Sequence, residues 1–291
     1  MLRDRRVLIL AVAALAAAVI WASALLARQD LLDLTILDVG EGLCAVVRTP
    51  SGKTLVMDCG TTSWRDGESV GEKLVAPYLQ SEGVDVIDVA VLSHPHADHI
   101  SGYAGLLETK PARLVLDIGV RYRSPNYKRF LRAVKDCRAR YRIAKRGQSI
   151  DLGGGVSVHI LSPDPARRYD DLNNRSIALR ITYKHVAFLL AADTEGQAEH
   201  YELQSHIPVR AQVLQVGHHG AEAATSPVWL SAVRPQVAII SCGRRNEYRH
   251  PSLDVIRRLA VAGARVYRTD KDGAVSVTTD GETIRVRKFR D

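Results

Sequence analysis

No two of the four cysteines (Cys44, Cys59, Cys137, Cys242) form a CxxC pair, which argues against a zinc ribbon. No internal repeat or low-complexity tract follows the N-terminal apolar run, which excludes a solenoid or a disordered tail. No Pro/Gly/Ser linker divides the chain, so residues 33 to 291 read as one domain after an N-terminal segment, residues 1 to 32. The glycine run Gly153 to Gly155 lacks the Lys-Ser/Thr of a phosphate-binding loop and reads as a hairpin turn.

Charge is present, but unevenly. The net charge is +8, and Arg121 to Arg146 holds eleven Lys/Arg against the single acid Asp136. The remainder is close to balanced, so one face is basic. At the N-terminus, "MLRDRR" precedes twenty uncharged residues, Val7 to Leu26. Such a run makes about 30 Å of helix, the thickness of a bilayer core. Its flanking arginines predict an anchor that leaves the globular part outside the cytoplasm. Ala22-Ser23-Ala24 resembles a cleavage site, so a cleaved signal segment, leaving a secreted or periplasmic protein, is the rival reading.

From Leu34 onward, β-rich runs alternate with helical patterns, predicting an α/β chain. The segment "LCAVVRTPSGKTLVMDCG" reads as a hairpin turning at Pro50 to Lys53, with Cys44 opposite Cys59. The two could bridge in an oxidising compartment, but most such cysteines are small core residues.

The chemistry concentrates in "SHPHADHISG", Ser93 to Gly102, directly after the apolar run "DVIDVAVL". His94 and His96 flank Pro95, whose fixed φ stiffens the segment, so both rings can face one point. Asp98 and His99 follow a change of direction and can face a second. Imidazole with carboxylate suits zinc, manganese or iron. Two more apolar runs end on donors, one on Asp193 and one on His218-His219. Strand ends converging on one edge are where open α/β sheets place their chemistry. His159, His185, His200 and His206 have no ligand-like neighbours.

"HPHADH" resembles the HxHxDH signature of the metallo-β-lactamase fold. With "LDVGEG" and "VMDCG" before it and "NNRSIAL", "LLAAD", "VGHHG" and "NEYRHPS" after it, the ordered set resembles the extracytoplasmic hydrolase domain of ComEC-type competence proteins. The resemblance covers about residues 34 to 253 and implies an α/β αββα four-layer sandwich with two divalent metal ions. It implies His94 and His96 on the first ion, Asp98, His99 and His218 on the second, and Asp193 bridging. Asp58 would orient the ligand loop from behind. A histidine that completes the first site in many relatives is missing, and Asn174 in "NNRS" is a poorer ligand. The first site is therefore expected to bind metal weakly, or mainly with substrate present. Ala192 stands where glycine is common. The chain would be a free-standing hydrolase domain on one anchor.

Two-metal sites favour hydrolysis, with Asp98 and Asp193 orienting the attacking water and His250 protonating the leaving group. Asn174, His219 and Asn246 are the expected substrate contacts. Since this fold hosts several hydrolytic chemistries, the basic segment guides the choice of bond. In "SPNYKRFLRAVKDCRARYR", Ser124 and Pro125 read as cap and first turn. Tyr127, Phe130, Leu131, Val134 and Tyr141 fall at burying spacing. Lys128, Arg129, Arg132, Lys135, Arg138, Arg140 and Arg142 are left to solvent. Such a surface binds polyanions by counterion release, with Arg129, Arg132 and Lys135 as the expected contacts. An anionic lipid surface is the rival partner. The expected activity is phosphodiester hydrolysis on DNA, plausibly single-stranded. Small or lipid-linked phosphoesters, or a non-catalytic DNA tether, are the alternatives. Nothing in the sequence points to a protein partner.

Overall fold

The computed structural model describes residues 10–17, 30–60, 70–244 and 246–290. Residues 10–17 are helical and exposed; the rest of the apolar run 7–26 lies outside the described residues. Among the described residues no helix is long and apolar enough to cross a membrane.

Two sheets face each other. The first runs β15 (Ile284–Lys288), β14 (Val275–Thr279), β1 (Leu32–Ile36), β2 (Ala45–Arg48), β3 (Thr54–Met57), β4 (Ile87–Val91), β5 (Ala112–Asp117) and β6 (Arg140–Ile143). The second runs β13 (Arg265–Arg268), β12 (Val237–Ile240), β11 (Val213–Gln215), β10 (Val186–Leu190), β9 (Ala178–Tyr183), β8 (Val156–Ser162) and β7 (Ser149–Gly153). A π-turn at Gly71–Val75 leads into α1 (Ala76–Ser81). The helices that follow are α2 (Ala97–Ile100), α3 (Tyr103–Thr109), α4 (Pro125–Asp136), α5 (Gly196–Leu203), α6 (Pro227–Val233), α7 (Leu253–Val261) and α8 (Thr269–Asp272).

The layering follows from the two-residue period of a strand, which sends alternate side chains to opposite faces. Leu55 and Met57 of β3 and Leu114 and Leu116 of β5 enter the core between the sheets. Phe188 and Leu190 of β10 meet them there from the other side. The intervening Val56 and Val115 pack outward under α1, α3 and α4. Ala187 and Leu189 pack outward under α6 and α7. Three apolar clusters thus make four layers, the expected α/β sandwich. Phe130 of α4 is fully buried, and its truncation to alanine would cost about 3–5 kcal/mol.

Strands β3, β4, β5 and β6 are mutually parallel, as are β10, β11, β12 and β13. Their C-terminal ends carry the site.

The basic segment differs from its expected form. Ser124 Oγ accepts from Tyr127 N (3.1 Å) as a cap should, but α4 ends at Asp136. Arg138 turns the chain with φ +57°, and Arg140–Ile143 becomes edge strand β6. Tyr141 therefore leaves the helix, remains 40% exposed and donates its hydroxyl to Asp117 (2.6 Å). Leu131 is 38% exposed because it lies beside, not on, the buried stripe of Tyr127, Phe130 and Val134. The β2–β3 hairpin pairs Ala45 with Met57, one residue off the register that would oppose Cys44 and Cys59. Both thiols are free and buried.

Candidate metal centre

The turn after β4 is held by backbone rather than by its own side chains. Leu43 N donates to Asp98 O (3.1 Å), Cys59 N to His99 O (2.9 Å), and Gly102 N to Cys59 O (2.7 Å). Glycine is required at Gly42 and Gly60, where a Cβ would overlap the Asp98 backbone. The "GEG" and "DCG" motifs thus have a physical reason, since their backbones wedge against the ligand turn.

Four donors converge at the sheet edge. Ligand atoms of Asp98, His99, Asp193 and His219 all lie within 4.8 Å of one another. His99 Nδ1 bonds Asp58 Oδ2 (2.7 Å), and His219 Nδ1 donates to the Ser241 carbonyl (2.9 Å), so both Nε2 atoms turn inward. Among the described residues, His99 Nε2, His219 Nε2 and Asp193 Oδ1 are buried without a well-aligned hydrogen bond, although His99 Nε2 lies 3.1 Å from Asp193 Oδ2 and His219 Nε2 3.3 Å from Asp98 Oδ2. Orphaned polar atoms cost free energy unless something meets them. Two imidazoles and two carboxylates aimed at one point fit a divalent cation.

Electrostatics agree. Burial pushes the Asp193 carboxyl up, but His99, His219 and His218 outweigh it and hold it well below the usual range. Burial pushes His219 down, but Asp193 and Asp98 reverse this and lift it to about 9. His99 is likewise raised, burial being overcome by Asp193, Asp58 and Asp98. Burial raises Asp58, against the pull of His99. The carboxylates therefore hold protons on His99 and His219, which a divalent cation would have to displace on binding.

The other half is different. His94 Nε2 and His96 Nδ1 are 2.9 Å apart, and Asp193 Oδ2 is 3.8 Å from His94 Nε2. Behind His94, among the described residues, stand hydroxyls, Ser93 Oγ (3.1 Å) and Ser176 Oγ (3.2 Å). Burial, then the neighbouring His99, pushes His94 well down, and burial lowers His96. Both favour the neutral imidazole that a metal needs.

The structure sorts the remaining expected residues. His218 and His219 both adopt left-handed backbone (φ +45° and +53°), and this double reversal sends His219 inward. His218, the expected ligand, sits outside the four-donor group at the mouth, bonded to Glu195 Oε1 (2.6 Å). It lies 3.7 Å from Asp193 Oδ2. His219, expected as a substrate contact, presents its Nε2 to the four-donor group. Asn174 faces away from the site. Its Oδ1 accepts from Ala198 N (3.0 Å) and Glu195 N (3.3 Å), capping α5, while its amide holds Asp171. Its neighbour Asn173 approaches His218 Nε2 instead (3.5 Å). Asn246 is consumed bracing its own loop through Gly243 O, His250 O and His250 N. His250 does join the site, its ring edge-on to His218 (centroids 5.5 Å apart) and Nδ1 3.4 Å from Glu41 Oε1. Arg129, Arg132 and Lys135 are exposed on α4, whose preceding loop brings Tyr122 to 6.2 Å from the His96 ring.

Glu41, Ser176 and Glu195 escaped the sequence reading. The first two lay within quoted motifs, but as positions without a ligand pattern. Asp58 and Ala192 share the left-handed conformation (φ +61° and +49°) of the histidine pair. Strained backbone gathers at this centre, as at many functional sites. At Ala192 it explains why glycine would be at ease.

Residues 37–244 match the metallo-beta-lactamase superfamily. The chain belongs to that superfamily. It is similar to ComE operon protein 3 of Bacillus subtilis, 31% identical over 257 residues, 84% of this chain and 32% of that protein. It is also similar to Recombination protein 2 of Haemophilus influenzae, 32% identical over 254 residues, 87% of this chain and 30% of that protein. Competence protein ComA of Neisseria gonorrhoeae is 28% identical over 258 residues, 88% and 34% of the two chains. The chain spans about a third of the length of these relatives. The ComEC-type resemblance of its motifs is thus matched by its relatives. Among solved structures, YhfI from Bacillus subtilis superposes with TM-score 0.54 at 12% identity, covering 88% of this chain and 100% of that one. CmlA, a diiron β-hydroxylase from Streptomyces venezuelae, gives 0.52 at 13% identity, covering 88% and 54%. These show the fold alone, and the site must carry the reaction.

Proposed function

We propose that the chain is a metal-dependent phosphodiesterase that cleaves DNA, single-stranded by preference, outside the cytoplasm. One observation carries the hydrolytic reading: buried, unpartnered ring and carboxylate atoms from three strand ends face a single point. Asp98, His99 and His219 would hold one divalent ion, zinc or manganese, and His94 and His96 a second, with Asp193 between them. Such ions supply Lewis acidity and a nucleophile at neutral pH. Asp98 and Asp193 present the oxygens that orient the attacking water. His250, with Nδ1 3.4 Å from Glu41 Oε1 and its ring beside His218, would be the group that protonates the leaving oxygen. His218 and Asn173 line the mouth.

The choice of DNA rests on the competence and recombination proteins among the relatives, and on the exposed cations of α4. An approaching phosphate chain would meet Arg129, Arg132 and Lys135. The same face would suit anionic lipid, which places the protein on a membrane without changing its chemistry. The extracytoplasmic placement rests on the apolar run 7–26 and the arginines before it. A reporter fused after Asp291 should be active only outside the cytoplasm; cytoplasmic activity alone would refute the placement. The central test is nuclease assay of the purified chain with manganese, zinc and magnesium in turn. Cleavage should require metal and stop on chelation. Equal turnover after chelation would refute the mechanism.

A further inference from the structure

On the same edge of the sandwich as the metal centre, a cavity of about 470 Å³ opens beside it over the ends of β5, β6 and β8. The strands put it there. β5 and β6 are parallel to β4, which delivers the histidine turn. β8 runs in the same sense as β10, which leads to Asp193, because both are antiparallel to β9. The connection is also covalent: Arg175 on its wall precedes Ser176, whose hydroxyl braces His94, and Ile177 N bonds Ser93 O (3.0 Å).

Its lining combines two chemistries. Lys145, Arg168 and Arg175 are exposed, and among the described residues none is ion-paired with a carboxylate. Among the described lining residues the one acid, Asp164, is already engaged by Arg146, by the wall's own Arg167 (3.8 Å) and by Ala166 N (2.9 Å). The cavity therefore carries uncompensated positive charge. Beside these cations lies the half-buried ring of Tyr169, whose hydroxyl is fixed by Asp164 N (2.8 Å), over a floor that includes Ile143. Free cations next to a pinned aromatic face suit a unit with a phosphate and a flat ring.

We propose that this cavity is a nucleotide subsite. Lys145, Arg168 and Arg175 hold phosphates of the strand adjoining the scissile bond, and the adjacent base stacks on Tyr169. Stacking of this kind needs an unpaired base, so the ligand is single-stranded. The inference rests on the reading of the centre as a DNA phosphodiesterase and names a part of its substrate site.

The test uses the full chain loaded with metal, the variants K145Q/R168Q/R175Q, Y169L and Y169F, and thymidine oligomers with and without bases. Thermal melting establishes that each variant is folded. The triple variant should flatten the slope of log K against log salt by about 2, about 0.7 for each of three phosphates. Its KM for a dodecamer should rise at least tenfold, the effect falling on KM rather than kcat and shrinking as the strand shortens to a dinucleotide. Y169L should weaken binding about 5- to 150-fold, while Y169F, which keeps the ring, should weaken it far less. Abasic oligomers should not distinguish the two. Wild-type cleavage of DNA with an unaltered slope and KM in the triple variant would overturn the subsite alone. Loss of binding to phosphatidylglycerol vesicles, with oligomer binding intact, would reassign the cavity to lipid headgroups. A wild-type protein that hydrolyses a small phosphodiester but neither binds nor cuts oligomers would overturn the DNA reading itself.

Discussion

The two sheets supply the centre by different routes. After β4, one six-residue turn delivers His94, His96, Asp98 and His99. Across the sandwich, Asp193 and His219 arrive from two separate strand ends, and His219 points inward only through consecutive left-handed residues. The backing is also unequal. His99 is braced by a buried carboxylate and His219 by a backbone carbonyl, whereas His94 leans on two hydroxyls. Carboxylate backing raises ligand basicity and fixes the ring more firmly than a hydroxyl. The comparison teaches that the shared half should govern metal retention, with the His94–His96 half the weaker.

The largest test removes the bridge between the halves. Asp193→Ala should lower hydrolysis by at least about 10³-fold, the equivalent of several kcal/mol of lost stabilisation. Elemental analysis should find both ions diminished in a folded protein. Retained turnover in the mutant would show that Asp193 bridges nothing.

The backing residues sharpen the contrast next. Asp58→Asn should cost about 10–100-fold in metal affinity, read by competition with a chromogenic chelator. Ser176→Ala, behind His94, should cost much less. If the serine change were the costlier, the ranking of the halves would be reversed.

The outer layers repeat the asymmetry and allow a pH test. Under the first sheet, the buried carboxylate of Asp117 receives two tyrosine hydroxyls on Oδ2, from Tyr127 and Tyr141, at 2.6 Å each, while its Oδ1 has no partner among the described residues. Under the second, Glu202 receives one indole N–H, from Trp229 (2.8 Å), and its other oxygen has no partner. Burial pushes Glu202 up to about 8, only partly opposed by Trp229. Its folded pKa exceeds the ordinary 4.5, so between these values the folded state holds more protons than the unfolded state. This contribution to stability is fully present below about 4.5 and is lost as pH rises through about 8. Glu202→Gln keeps an acceptor for Trp229 and should remove this dependence, raising the melting temperature relative to wild type above pH 8. Parallel melting curves for the two proteins from pH 5 to 9 would refute it.

The smallest expected effect concerns the exposed face of α4. Replacing Arg129, Arg132 and Lys135 with glutamine should flatten the salt slope for single strands modestly, with little dependence on base sequence. Full DNA affinity combined with lost binding to anionic vesicles would make that face a lipid contact.

Much of this was legible in the chain because its signals are local. The four donors from His94 to His99 are contiguous, so any fold that ends β4 there brings them together. The β-rich apolar runs of β3, β5 and β10 announced buried strands. Less legible was whatever depended on the sign of a dihedral or on a distant partner. The periodicity of Tyr127, Phe130 and Val134 ran on to Tyr141 in the sequence, yet Arg138 turned the chain into an edge strand. Asn174 looked available until α5 required a cap.

The sequence by itself pointed to the class of chemistry, since imidazoles and carboxylates crowded at strand ends in the metallo-β-lactamase pattern suit a divalent cation. It also determined the layered α/β order, because side-chain alternation is a property of each strand alone. Only the tertiary structure decided that His219 rather than His218 turns its Nε2 into the four-donor group, leaving His218 at the mouth against Glu195. It alone brought Lys145 to the cavity wall that Arg168, Tyr169 and Arg175 share. These are contacts between residues far apart in the chain, and their geometry exists only once the two sheets have packed and the backbone has taken up its strained turns.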